Sequence, residues 1–160
     1  MAFSKSGQTQ LLFELPKLLA GQAVKPLRLA CRRTEKQPGS QAQFAALVRH
    51  ALRHEIRAGF EHRFITLLFV TVQERVFCRR YAYGEPSWHS VFLADARGQV
   101  KLDKTIVGIE ARIPDDLGEI LPSIDAAYEA KLKQLGARFM LAGAVAPQAQ
   151  QSTLEIFLAG

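Results

Sequence analysis

Two successive arginines, Arg79 and Arg80, close an apolar run, and Ser87, Trp88 and His89 follow a turn. Side chains alternate along an extended chain, so Val76, Cys78 and Arg80 share one face while Phe77, Arg79 and Tyr81 share the other. One arginine therefore lies next to the core. A guanidinium there requires a carboxylate, a phosphate or a place on the rim. Cys78 lies beside both arginines, which would lower its thiol pKa if it were exposed. An inert buried cysteine is the simpler reading. Ser87 and Ser90 are too close to His89 in sequence to form a nucleophile–base pair.

A second group of reactive side chains lies upstream. Ser40 followed by Gln43 has the spacing of a capping box. Phe44, Leu47, Val48, Ala51, Leu52 and Ile56 then recur at helical spacing, with Gly59 as the stop. On that helix Arg49, Arg53 and Arg57 form a basic stripe with His50 and His54 alongside. The stripe is read as a solvated face, and its functional alternative is a phosphate or nucleic-acid contact. His50 and His54 have a spacing that suits one metal ion, but no third ligand is evident, so no metal site is assigned. Asp125 and Glu129, early in a later helix, suit its dipole better than acid–base chemistry. No residue set with catalytic geometry emerges.

The elements that must position these groups follow from pattern. Residues 65–72 (ITLLFVTV) read as one buried strand, joined through Gln73-Glu74 to a second strand, Arg75–Tyr81, in an antiparallel hairpin. Tyr83-Gly84-Glu85-Pro86 is a turn, and Val91–Ala94 reads as a strand. Asp95-Ala96-Arg97-Gly98 is another turn, and Gln99–Leu102 begins the next strand. Lys101–Ile113 reads as one longer or two short strands, with Gly108 at a bend or bulge. Pro114-Asp115-Asp116 opens a helical turn. Ser123–Leu135 is the stronger helix, ended by Gly136. Residues 138–146 fit either a short helix or a strand. Pro147 starts a polar turn, and Thr153–Leu158 closes as a strand with Leu154, Ile156 and Leu158 inward.

At 160 residues, about half of them apolar, the chain can bury a respectable core, and its net charge of +6 favours anionic partners. Its two cysteines, Cys31 and Cys78, cannot build a disulfide framework or a four-cysteine zinc site, which suits a reducing cytoplasm. Residues 8–20 read as a short amphipathic helix and residues 21–40 as a basic arm. The stretch LLFELPKLLAG is broken by Glu14, Pro16 and Lys17 and reads as neither signal peptide nor membrane anchor. The organisation expected is an N-terminal helix and arm over 1–39 and a folded domain over 40–160. No glycine-rich phosphate loop, GxGxxG fingerprint or GxSxG elbow is present.

HRFI, RVFCRRY, SWHSVFL, DARGQVKL and IDAAYEAKL, in this order and spacing, resemble a bacterial family of unknown function. That family belongs to the pyridoxamine-phosphate-oxidase-like, FMN-binding split β-barrel superfamily. The resemblance covers roughly residues 60–158. Family members usually carry valine and serine around the first arginine of the second strand and tyrosine after the tryptophan. Cys78, Arg80 and His89 stand there in this chain. The resemblance implies an α+β fold: an antiparallel, Greek-key-like split β-barrel with flanking helices, assembled as a homodimer. It also implies FMN or a related phosphorylated small molecule as cofactor, in an oxidoreductase-like role. By strand position the cofactor contacts would fall at Arg79, Arg80, Ser87 and Trp88, with Arg80 favoured over Arg79 because small Cys78 leaves room beside it. Two other readings stay open: a cofactor-free binding or structural dimer, and a basic nucleic-acid binder. Against the last, the aromatics do not interleave with the arginine stripe, as single-strand binders require.

Overall fold

The computed structural model describes residues 37–160. The helix expected over 8–20 and most of the basic arm lie outside the described residues. In chain order the elements are α1 (Gln41–His50), β1 (His54–Ala58), β2 (Ile65–Thr66), β3 (Phe69–Val72), β4 (Arg75–Cys78), α2 (Trp88–Ala94), β5 (Arg97–Leu102), β6 (Thr105–Arg112), α3 (Leu117–Gln134), a 3-10 turn (Arg138–Met140), α4 (Leu141–Ala144), α5 (Pro147–Gln151) and β7 (Leu154–Leu158).

All strand pairs are antiparallel, in the order β2-β1-β5-β6-β7-β4-β3. The end strands β2 and β3 are consecutive pieces of one chain stretch, separated only by Leu67 and Leu68. The sheet must therefore curl until its two ends approach. This is the α+β split β-barrel with flanking helices.

The inner face of the curl buries Ile56, Phe69, Val76, Cys78, Val100, Leu102, Val107, Ile109, Leu154 and Ile156 against Phe44 and Val48 of α1 and Phe92 of α2. On the outer face, Val70 and Phe77 pack against Ile124, Tyr128 and Leu132 of α3. Both apolar strands of the hairpin are thus covered within a single chain. Burying each such side chain contributes about 1.5–3 kcal/mol.

Several elements form where local chemistry places them. Ser40 Oγ accepts the Gln43 N–H at 3.3 Å, and Gln43 Oε1 accepts the Gly39 N–H at 2.7 Å. The hairpin turns at Gln73, whose φ is 55°, with Val72 opposite Arg75. Helix α3 ends in a Schellman motif: the Ala137 N–H reaches Leu132 O and the Gly136 N–H reaches Lys133 O, with Gly136 at φ 67°.

Elsewhere the expectations need correction. Helix α1 stops at His50, not near Gly59. The Leu52 and Arg53 N–H groups turn to the Asp103 carboxylate, and residues 54–58 pair with β5. Residues 65–72 are two strands rather than one, because the chain must pass from the β1 edge to the β4 edge. Regular β4 ends at Cys78, before Tyr81. Val91–Ala94 lies in helix α2, where Ser87 and Ser90 form a reciprocal capping box. Gly108 stands opposite Gln99 in an unbroken ladder, so it marks no bulge. Helix α3 begins at Leu117, six residues earlier than Ser123, and contains Pro122. Residues 138–146 are helical, and Pro147 opens the short helix α5.

Among the described residues, no helix is long and apolar enough to cross a membrane.

Candidate functional site

A cleft of about 480 Å³ opens where the β1–β2 connection faces the loop leading into α2. That volume lies within the range of small-molecule sites. One wall comes from the end of β1, the following connection and β2 with the residue after it: Arg57, Ala58, His62, Arg63, Ile65, Thr66 and Leu67. The other comes from Tyr81, Ala82, Gly84 and Pro86 in the loop, with Ser87, Trp88 and Val91 on α2.

The loop wall is held by its own charges. Arg80 donates from Nε to Ala82 O (3.1 Å) and from Nη2 to Gly84 O (3.3 Å), and it pairs with Glu85 at 3.0 Å. Glu85 also accepts from Ser90 Oγ (2.8 Å) and Ser87 Oγ (3.1 Å). The Ser90 bond first, then Ser87 and Arg80, holds the Glu85 carboxyl below its ordinary range. Ser87 Oγ additionally accepts the Ser90 N–H, so its hydroxyl is engaged in capping α2. Trp88 is half-buried, with Phe92 edge-on at 6.2 Å and His89 edge-on at 5.7 Å. His89 is buried, and its Nε2 has no hydrogen-bond partner. Burial first, and then nearby Arg80, lowers its pKa.

The opposite wall carries the cations. Arg57 donates from Nε to Gln99 Oε1 at 2.8 Å, and its guanidinium lies over the Phe64 ring. His62 and Arg63 are exposed. They take part in none of the hydrogen bonds or ion pairs formed among the described residues. The cleft thus combines cations on the β1 side with the apolar side chains of Ile65 and Leu67 on that wall and of Trp88 and Val91 on the other.

Of the residues expected to bind a cofactor, Ser87 and Trp88 line this cleft, whereas Arg79 and Arg80 do not. Arg79 is fully buried on the other side of the sheet. Its Nη1 meets Asp125 Oδ1 at 2.6 Å and Ala144 O at 2.8 Å, and its Nε donates to Thr153 Oγ1 at 3.0 Å. Its guanidinium lies 5.0 Å from the Tyr128 ring centroid. Asp125 also accepts from Gln150 Nε2 at 2.7 Å, which ties α3 to α5. Arg80 shapes the loop wall.

The arginine stripe does not exist as one face. Arg49 on α1 donates to Gln73 O, Arg53 in the connection pairs with Glu55, and Arg57 lies on β1. His50 and His54 are likewise separated: His50 ends α1 exposed, whereas His54 is buried with both ring nitrogens occupied. No group of three or more metal-ligating side chains occurs among the described residues. Cys78 is buried in the barrel interior, where burial pushes its thiol pKa far up.

The meeting of Arg57, His62 and Arg63 in one cleft is not visible along the sequence. By spacing, residues 54–58 fit a helix, which places Arg57 in a stripe with Arg49 and Arg53 rather than beside Arg63. The available signal was a basic loop beside a strand end, where binding groups concentrate.

No protein-family model matches the chain, and no curated protein matches it in sequence. The structure itself defines the class, an α+β split β-barrel with a cleft at the junction of β1 and α2.

Proposed function

We propose that the protein binds a phosphorylated planar cofactor, FMN or a close relative, in this cleft and serves an oxidoreductase-like role. The observation that supports the reading is the polarity of the cleft. Arg63 and His62 offer unpaired donors to a phosphate, with Arg57 beside them, and Trp88 with its apolar neighbours offers a surface for a ring. Arg80 contributes by holding the loop wall, and Arg79 by anchoring the strand behind it.

A homodimer belongs to the same reading. Phe60 and Leu93 are each more than half exposed, on the connection after β1 and on α2, and suit coverage by a second chain. The free Cys78 fits a reducing, cytoplasmic setting.

The test is to record the visible spectrum of the purified protein and titrate FMN by fluorescence quenching. Arg63→Ala should weaken binding about ten- to a hundred-fold, as expected of a charge-assisted contact. Trp88→Ala should remove the ring contribution. A colourless protein that leaves FMN fluorescence unquenched would favour the cofactor-free binding dimer instead.

A further inference from the structure

Helix α3 ends in an apolar tip. Leu135, Phe139 and Met140 are 55%, 86% and 38% exposed, and from Leu135 to Gly143 every exposed residue except Arg138 is apolar or glycine. Burial of such side chains is favourable, yet the fold leaves these in water. The chain turns at Gly136, and the 3-10 turn that follows projects Phe139 from the surface. The same segment is basic. Lys131, Lys133 and Arg138 are the charged residues between Ala130 and Leu154, a stretch without a carboxylate. None of the three takes part in an ion pair formed among the described residues. The 3-10 turn and α4 pack chiefly on α3 and α5. Helix α5 carries no acid, Asp125 of α3 is already held by Arg79 and Gln150, and Glu129 lies one turn before Lys133.

We propose that this tip docks on an anionic lipid surface, with Leu135, Phe139 and Met140 inserted at the headgroup boundary and Lys131, Lys133 and Arg138 against the headgroup charges. Charge complementarity and shape select this occupant. A two-fold contact between copies sets the same patch against itself, and here it would bring unpaired cations together. Three side chains also cover far less than the roughly 800 Å² per partner of a standard protein interface. A projecting ring needs a matching pocket in a protein partner but none in lipid. Screening limits the attraction to charges within about 8 Å of the membrane at physiological ionic strength, so the local excess counts rather than the charge of the whole domain. Apolar insertion and attraction to anionic headgroups are the two signals that peripheral membrane binding combines. None of these residues lines the cleft, so the proposal does not rest on the cofactor reading.

The full chain is mixed with vesicles of phosphatidylcholine alone or of phosphatidylcholine with phosphatidylserine, and the bound fraction is measured by sedimentation at low and high salt. Binding should require phosphatidylserine and fall with salt. Phe139→Ser should weaken it about ten-fold or more through the lost apolar insertion. Changing Lys131, Lys133 and Arg138 together to glutamine should weaken it about five-fold for each charge, on the order of a hundred-fold in all, and remove the salt dependence. Ile113→Ser alters a half-exposed apolar residue just before the other end of α3 and should leave binding unchanged. Unchanged melting temperatures would show that the variants fold. Absence of salt-sensitive binding to the phosphatidylserine vesicles would overturn the proposal, as would an equal loss in Ile113→Ser. So would a size-exclusion result in which Phe139→Ser converts a dimer to a monomer while vesicle binding stays unchanged.

Discussion

The His54 ring spans the opening between helix α1 and strand β3: its Nδ1 accepts the Phe69 N–H at 3.3 Å while its Nε2 lies 3.0 Å from Val48 O. Only the neutral tautomer protonated at Nε2 satisfies both contacts. The Leu67 N–H meanwhile donates to the His54 carbonyl, so one residue holds both sides of the bend between β2 and β3. Open β edges otherwise leave backbone groups unpaired, and His54 satisfies one of them from a side chain.

A pH dependence follows from this pair. Burial, with Lys131 of α3 adding a like charge, lowers the His54 pKa, and the Val48 and Ala51 carbonyls and Asp103 oppose the shift. A histidine with a depressed folded pKa binds fewer protons folded than unfolded. Its contribution is therefore complete above the unfolded value of about 6.5 and is lost as pH falls below it. Buried His89 acts in the same direction. Urea unfolding at pH 7.5 and pH 5.5 should show lower stability at the acid value, with a smaller difference in His54→Gln. A flat or inverted profile in the parent protein would contradict the assignment.

Arg79 and Arg80 should separate in their effects. Arg79→Ala removes the partner of Asp125, which is itself about one quarter exposed, so the loss should fall near the low end for a broken buried pair, about 3 kcal/mol. Arg80→Ala loosens a loop whose other charge, Glu85, is half exposed, and should cost about 1 kcal/mol or less. Chemical denaturation of both variants decides the point. Equal stability losses would be inconsistent with this division.

Cys78 should be unreactive in the folded protein. Its side chain is fully buried, and desolvation disfavours the thiolate. In a Cys31→Ser background, a disulfide-exchange reagent should label Cys78 only at the rate of unfolding. Rapid labelling in native buffer would show that the barrel opens far more readily than its packing indicates.

Gly98 is a position where bulk is forbidden. An added Cβ would lie 2.5 Å from Arg57 O and 2.7 Å from the Phe92 ring. Phe92 seats α2 on the barrel, so Gly98→Ala should cost about 1–3 kcal/mol through overpacking. The loss should appear as a lower melting temperature. An unchanged melting temperature would mean that α2 shifts freely.

The pattern of residues alone determined the parts of this protein whose cause is local. The hairpin through Gln73-Glu74 follows from two apolar runs flanking a polar pair. The start at Ser40 follows from a side-chain cap, the stop at Gly136 from glycine's tolerance of positive φ, and the inward Leu154, Ile156 and Leu158 from period-two alternation. Tertiary structure decided the rest, because local preference there was nearly balanced. HEIRA can continue a helix, but β5 offers it a complete hydrogen-bond ladder. WHSVFLA carries β-branched and aromatic residues, yet the Ser87 cap and the seat of Phe92 on Gly98 make it a helix. The same long-range pairing drew Arg79 to Asp125, 46 residues away, and brought Arg63 into one cleft with Trp88. Spacing along a chain cannot announce such meetings, since they depend on how the sheet curls.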